Sequence, residues 1–452
     1  MFIPLAIAVT RCSGGCGGEP QGPSVDGSSD SGRADANPSD AKSDAPPTPC
    51  LVDGYLLDDG YDAACGFCYA GSKEKLPPPI TWKACDPLAT PPGMVCQQMV
   101  EDWDPGQFGT EYLAGALPAW SHDGTVTFLL GRMQWPFIYR VVADADGPVH
   151  QAMLETAPST CTLGHGDLRD ARVAYRIYDS ESGTLSGLGG GSYGADLDDL
   201  HPRVMTHYHP EKNNDRDYYV SNLGLFEISS LGFTINQYDW ATGQFVRQIT
   251  SANQENGFGI GDLWPQGDAV FWNDYSTLAF NKLRAWTLDG GSHDLVSFGG
   301  DWTKGAMTMG VDDTWIAWSQ GDGRPQSNVM FDKVRLMAAP RATAGVSGTA
   351  LTTVAGFNMA PLVVGCGYAA VAATVSFDAG PNEPQNLLVF RLSDGRRWQF
   401  PTALPQRWFI PLAITCTEIF AKVAIQDADS GKGYYTIGRV RLDSLGPGVP
   451  PN

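Results

Sequence analysis

No window of this 452-residue chain approaches the roughly 18 to 20 uninterrupted apolar residues that a membrane-spanning helix needs. The longest apolar stretch, Phe2 to Val9, is far too short, which excludes a helical integral membrane protein. Basic side chains are in deficit, 30 against 50 acids for a net charge of −20, and no Lys/Arg-rich run concentrates them. Such a chain repels phosphate backbones, so nucleic acid is excluded as a partner. Also missing are a G-x-S-x-G elbow, an H-E-x-x-H pair, a P-loop and a dinucleotide fingerprint between strand and helix. The run Gly187 to Gly191 is therefore read as a loop, since no helix amino terminus follows it to receive phosphate. A 3.6-residue apolar stripe is absent too. What is present is 53 Gly, 32 Pro and 11% aromatic residues, a composition suited to many short strands joined by turns, in a chain long enough for a large core.

The apolar run at Phe2 to Val9 has the character of an export-signal core. It is short and no basic residue precedes it, so the expectation is that the true start lies upstream. Cys16, preceded by Gly14 and Gly15, resembles the acylated cysteine of bacterial lipoproteins, although Ser13 stands where their signature has Leu. The resemblance implies cleavage within residues 1–16, lipidation of Cys16, and membrane contact by that anchor only. From 17 to 49 the one larger aliphatic residue is Val25, and six acids face Arg33 and Lys42. That composition cannot bury a core and predicts a disordered acidic linker. It is similar to the Asp/Ala/Ser/Pro-rich tethers of myxobacterial surface lipoproteins. The implied address is exported: outer-membrane-anchored, periplasmic or at the cell surface.

With Cys12 removed and Cys16 acylated, eight of the ten cysteines remain: Cys50, Cys65, Cys68, Cys85, Cys96, Cys161, Cys366 and Cys416. An even number in an exported chain predicts disulfides. Five of them crowd into 50–96 among Pro and Gly, which predicts a small stapled segment over residues 50–95. A Zn2+ site built on Cys65, Cys68, Cys85 and Cys96 is the rival reading; its second half, with ten residues between the cysteines, is poor. Cys366 and Cys416 occupy equivalent places in adjacent repeats, where a disulfide would staple two units. Neighbouring inner strands usually diverge beyond the roughly 7 Å Cα limit for a bridge, so pairing with Cys161 or the Cys-rich segment stays open.

Beyond residue 105, period-two apolar runs are bounded by Gly, Asp, Asn and Pro, and a strand recurs around Arg140, Arg176, Asn236, Trp286, Arg335, Arg391 and Arg441. These anchors average about 50 residues apart, the size of a four-stranded propeller blade. The first two intervals, 36 and 60, are irregular, as though one blade had lent length to the next. The predicted fold is all-β: a propeller over residues 96–452 with seven blades, six being possible. The last repeat lacks a fourth strand. Met94 to Trp103 is its natural donor, an arrangement that closes the ring and removes exposed edges.

Pro118-Ala119-Trp120-Ser121-His122-Asp123-Gly124 resembles the P-x-W-S-P-D-G turn of TolB-like propeller repeats, with His122 replacing the second Pro; Trp318-Ser319 is a fainter echo. The resemblance implies the architecture and gives Asp-Gly a hairpin role.

Phe108, Phe258, Trp302, Phe357 and Trp408 precede their anchors by 28 to 34 residues. Loops entering inner strands gather at one channel mouth, so these rings, with Arg407 and Lys304, are candidates to bind a glycan or a peptide side chain. The position itself favours the other reading, in which each ring wedges between neighbouring blades as large residues there often must. His207, His209 and Glu211 form a candidate metal set. Asp144-Ala-Asp146 and Asp427-Ala-Asp429 alternate as Ca2+ loops do, without the remaining ligands. The function expected is a monomeric surface or periplasmic binding protein for a protein or glycan, with no cofactor required. A secreted polysaccharide hydrolase or lyase using channel carboxylates, and a structural envelope component, are the alternatives.

Overall fold

The computed structural model describes residues 51–451 apart from 53–54, 57–68, 73–79, 86–89, 91–92, 102–118, 123, 133–134, 143–147, 158–160, 180–190, 198, 208–216, 229–233, 252–258, 275–281, 299–303, 324–332, 356–357, 375–385, 401–405 and 427–432, and for part of the strands the backbone alone. The chain divides into Met1–Pro49 and Cys50–Asn452, and the described residues all lie in the second unit.

Seven antiparallel sheets are present among the described residues. Blade 1 comprises Ala119–His122, Thr125–Arg132, Trp135–Val142 and Pro148–Ala157, and blade 2 Cys161–Arg169, Arg172–Asp179, Gly191–Asp196 and Asp199–His207. Blade 3 comprises Asp217–Ser221, Gly224–Ile228, Thr234–Tyr238 and Phe245–Ser251, and blade 4 Ile260–Gln266, Ala269–Asp274, Lys282–Thr287 and Gly291–Ser297. Blade 5 runs through Lys304–Val311, Trp315–Asp322, Lys333–Pro340 and Thr349–Ala355, and blade 6 through Asn358–Gly365, Tyr368–Thr374, Asn386–Arg391 and Arg397–Gln399. Blade 7 takes Gln406–Ile414, Glu418–Gln426 and Gly433–Arg441 from the end of the chain. Each first strand adjoins the next, and the first of blade 1 adjoins that of blade 7. The fold is a closed β-propeller around an axial channel.

Closure uses both chain ends. Cys96–Glu101 adds the fourth strand of blade 7, pairing Val440 with Cys96 and Gly438 with Gln98, and Ile80–Ala84 adds a fifth. The disulfide Cys85–Cys96, with Cα atoms 5.6 Å apart, ties this hairpin. Both thiols of the second half of the zinc reading are thereby consumed. The described strands of residues 50–95 add to the outer edges of blades. Tyr55–Leu56 lies on blade 2 and Tyr69–Ser72 on blade 1.

The irregular early intervals have a definite cause. Arg176 lies in the second strand of blade 2, and the third is Gly191–Asp196. The anchors elsewhere fall on third strands, so the short and long intervals of 36 and 60 came from matching Tyr-Arg-Ile-Tyr to the second strand in place of the third. Trp318-Ser319 likewise belongs to a second strand, that of blade 5. The hairpin expected after Trp120-Ser121 is present: His122 pairs with Thr125, and Gly124 has φ +73°.

Hydrophobic clusters fill the spaces between blades. Trp318 packs with Phe271, Leu283 and Met309 between blades 4 and 5, and Trp408 with Phe400, Val389 and Val423 between blades 6 and 7.

Candidate functional site

A cavity of about 450 Å³ opens where the first strands end and turn into the second. Its wall draws on those hairpins in blades 1, 2, 4, 5, 6 and 7, with Leu362, Leu412 and Ile414 as apolar lining and Asp167, Arg169, Asp312 and Asp313 as charged groups.

These polar groups exist for a physical reason. The first strand of a blade has no partner on its channel side, so its N–H and C=O groups need other satisfaction. Asp167, 3% exposed, accepts the Val220 N–H of blade 3 at 2.9 Å. Its carboxylate lies 3.2 Å from Arg169 Nε. Arg169 in turn donates to Pro265 O of blade 4 at 3.0 Å, reaching past blade 3. Asp170 accepts the Asn222 N–H, and Ser121 Oγ of blade 1 donates to Ile414 O of blade 7 at 2.8 Å. Asp312 caps its own hairpin by accepting the Thr314 and Trp315 N–H groups, while Asp313 accepts from Gln266 of blade 4 at 3.1 Å.

The disulfide Cys366–Cys416 sits in the same wall, joining the turns of blades 6 and 7 with Cα atoms 5.1 Å apart. Inner strands at their hairpin ends therefore do approach within bridging distance. Cys366 adopts φ +48°, the left-handed region, in the turn before Gly367.

The residues expected to bind ligand fall elsewhere. Lys304 and Arg407 stand at the starts of their first strands, at the opposite end from this cavity. Lys304 is exposed and Arg407 half-buried. Trp408 is corrected: it is 1% exposed and its ring centroid lies 5.3 Å from that of Phe400. The ring wedges between blades 6 and 7 and extends across the sheet to Gly438, where an added Cβ would collide with it. Phe108, Phe258, Trp302 and Phe357 lie outside the described residues, as do His209, Glu211, Cys16, Cys50, Cys65, Cys68 and both alternating-acid loops. His207 ends the fourth strand of blade 2, and Cys161 begins that blade's first strand. Among the described residues no three His, Cys, Asp or Glu side chains stand together as a metal ion requires. The cavity itself was missed in the sequence reading, because Asp167, Arg169 and Asp312 look like ordinary turn residues until the ring brings their hairpins together.

No family model and no curated protein matches the chain. Solved structures do. An oligogalacturonate lyase in complex with manganese superposes with TM-score 0.50 at 13% identity, covering 82% of this chain and 98% of that one. An oligogalacturonate lyase from Vibrio parahaemolyticus gives TM-score 0.49 at 10% identity over 82% and 99% of the two chains. A putative TolB from Agrobacterium tumefaciens gives 0.36 at 15% identity over 63% and 91%. At such identities the likeness is one of fold, the β-propeller.

Proposed function

We propose that this chain is an exported, lipid-anchored recognition protein whose propeller takes a protein or glycan ligand at a mouth of its channel. The carrying observation is the cavity of about 450 Å³, within the size range of ligand sites and lined by both apolar and charged groups. Its carboxylates are engaged with backbone and side-chain donors of neighbouring blades, an arrangement that favours holding a ligand over moving protons. Two disulfides fit an oxidising compartment outside the cytosol. The likeness in fold to an oligogalacturonate lyase supports a second reading, cleavage of an acidic polysaccharide.

Glycan and peptide arrays probed with the full oxidised chain test the proposal. Asp313→Trp would obstruct the described mouth, and Lys304→Trp would obstruct the opposite end, where Lys304 begins its strand. Loss of binding in one folded variant assigns the mouth. Absence of binding by the unaltered chain defeats the recognition reading. Release of unsaturated uronides from polygalacturonate would instead establish the lyase.

A further inference from the structure

Two disulfides stand among the described residues, and they differ in access. Cys85 and Cys96 are 6% and 7% exposed and belong to the cluster that holds Trp408, Phe400 and Val440. Cys366 and Cys416 are both exposed, in the turns between the first and second strands of blades 6 and 7 that form part of the cavity wall. An attacking thiolate must reach a sulfur from solvent, so access decides which bond exchanges in the folded protein.

Cys366 also stands in a turn that does not suit it. Gly365 pairs with Tyr368 across the two-residue loop Cys366-Gly367, in which both residues have positive φ, +48° and +76°. Glycine, asparagine and aspartate fill such a position with least strain, so a cysteine there needs a reason other than conformation. The bond to Cys416 is that reason, and exposed or strained disulfides are the exchangeable ones.

The two turns are held together by more than the bond. A Cβ added at Gly365 would lie 2.5 Å from Ile414 O, so the inner strands of blades 6 and 7 are pressed together beside the disulfide. Ser121 of blade 1 donates to the same carbonyl, and the Gly367 N–H donates to Asp312 of blade 5 at 3.4 Å. Each cysteine therefore stays beside the other once the bond is open. A monothiol that attacks one sulfur leaves the second cysteine placed to expel it, at the high effective concentration of an intramolecular group. A dithiol escapes that recapture, because its own second thiol resolves the mixed disulfide.

We propose that Cys366–Cys416 is a thiol–disulfide exchange site for an external dithiol, opened and closed in the folded ring, while Cys85–Cys96 is a permanent tie. One thiolate of the donor attacks the Sγ of either cysteine. A donor–protein S–S bond forms as the Cys366–Cys416 bond breaks, and the other cysteine leaves as a thiolate. The donor's second thiolate then attacks the donor sulfur of the mixed bond, which breaks and releases the first cysteine. Two electrons pass to the protein, the donor's two thiol protons end on the cysteines, and the donor departs as its disulfide. Exchange unlinks two turns of the cavity wall and leaves the Cys85–Cys96 hairpin in place. The chemistry is independent of whether the cavity takes a ligand.

The test treats the full oxidised chain with dithiothreitol in the absence of denaturant, traps free thiols by alkylation at intervals and reads each cysteine by peptide mass spectrometry, with circular dichroism in parallel. Cys366 and Cys416 should be alkylated together, at least tenfold faster than Cys85 and Cys96 and with the β spectrum retained. Removal of the dithiol and addition of oxidised glutathione should close the bond again. At the same thiol concentration, 2-mercaptoethanol should open at least tenfold less of it. Comparable rates for the two disulfides, opening that occurs only with loss of the spectrum, or failure to close again overturns the proposal. Equal opening by the monothiol refutes recapture and overturns it as well.

Discussion

Blade 5 is made from one stretch of chain, Lys304 to Ala355, while blade 7 draws three strands from residues 406–441 and two from residues 80–101. Each buries a tryptophan against its preceding neighbour, Trp318 or Trp408, and each keeps a glycine under the ring, Gly348 or Gly438, where a Cβ would collide with it. The cores are thus of one kind. What differs is the reinforcement. Blade 7 has the Cys85–Cys96 tie within its donated hairpin and the Cys366–Cys416 link to blade 6. It also has a buried ion pair, Arg439 to Glu418 at 3.5 Å, with the two side chains 2% and 3% exposed. Arg439 donates to Gln97 at 2.8 Å and lies 4.4 Å over the Trp82 ring, so it touches both donated strands. A blade closed over some 300 residues of intervening chain loses more entropy on assembly than a contiguous one, and these devices offset that loss.

The largest effects should come from the two tryptophans and the arginine. Trp318→Ala and Trp408→Ala each remove a fully buried indole and should cost about 3–5 kcal/mol in denaturant unfolding. Only Trp408→Ala should also speed release of the N-terminal hairpin in limited proteolysis. Arg439→Leu strands Glu418 without its cation and should cost about 3–5 kcal/mol with the same proteolytic signature. Equal protease sensitivity of the blade 5 and blade 7 variants would erase the distinction.

Disulfide removal should come next. The chain-entropy relation assigns about 4 kcal/mol to a loop the size of Cys366–Cys416 and about 3 kcal/mol to one the size of Cys85–Cys96. Thermal unfolding of the paired Cys→Ser variants measures both. If reduction leaves the melting temperature unchanged, the crosslinks contribute nothing to closure.

Much of this contrast was legible in the chain. The period-two runs and the spacing near 50 gave the sheets of blades 3 to 6 because each of those repeats is contiguous, and in blades 5 to 7 the same apolar-Arg-apolar pattern lies in or at the end of the third strand. The missing fourth strand of the last repeat pointed to its donor for the same reason. Blade 2 was obscured because its second strand, Arg172–Asp179, mimics the third-strand pattern. Trp408 could not be separated from a ligand-facing ring, since an aromatic near the start of an inner strand serves either purpose and only the glycine beneath it decides. The cavity depends on hairpins up to about 300 residues apart meeting around a ring, which no local pattern encodes.

A smaller effect should appear at Lys422, in the second strand of blade 7. Burial pushes its ammonium pKa from 10.5 down to about 8. A lysine with a depressed folded pKa destabilises the fold below about pH 8, and the penalty fades as pH rises towards 10.5. Lys422→Met should therefore gain no more than about 3 kcal/mol at pH 7 and flatten the rise in stability between pH 8 and 10. A variant whose stability keeps that rise would place the titration elsewhere.

The smallest effect tests how far burial, and not ion pairing as such, sets blade 7 apart. Asp394, in the turn between the last two strands of blade 6, accepts from Arg391 Nε at 3.0 Å and from the Arg396 N–H at 3.2 Å. The Arg391 guanidinium is the main cause of its carboxyl pKa falling from 3.8 to about 2. A lowered carboxyl pKa stabilises above 3.8 and loses that contribution as pH falls through 2. The pair is exposed, however, so solvent screens it and its two side chains remain well hydrated when separated. Asp394→Asn should leave the melting temperature at pH 7 within experimental scatter and alter only the acid limb between pH 2 and 4. A loss at pH 7 comparable to that of Arg439→Leu would mean that charge pairing, wherever it stands, holds this ring together.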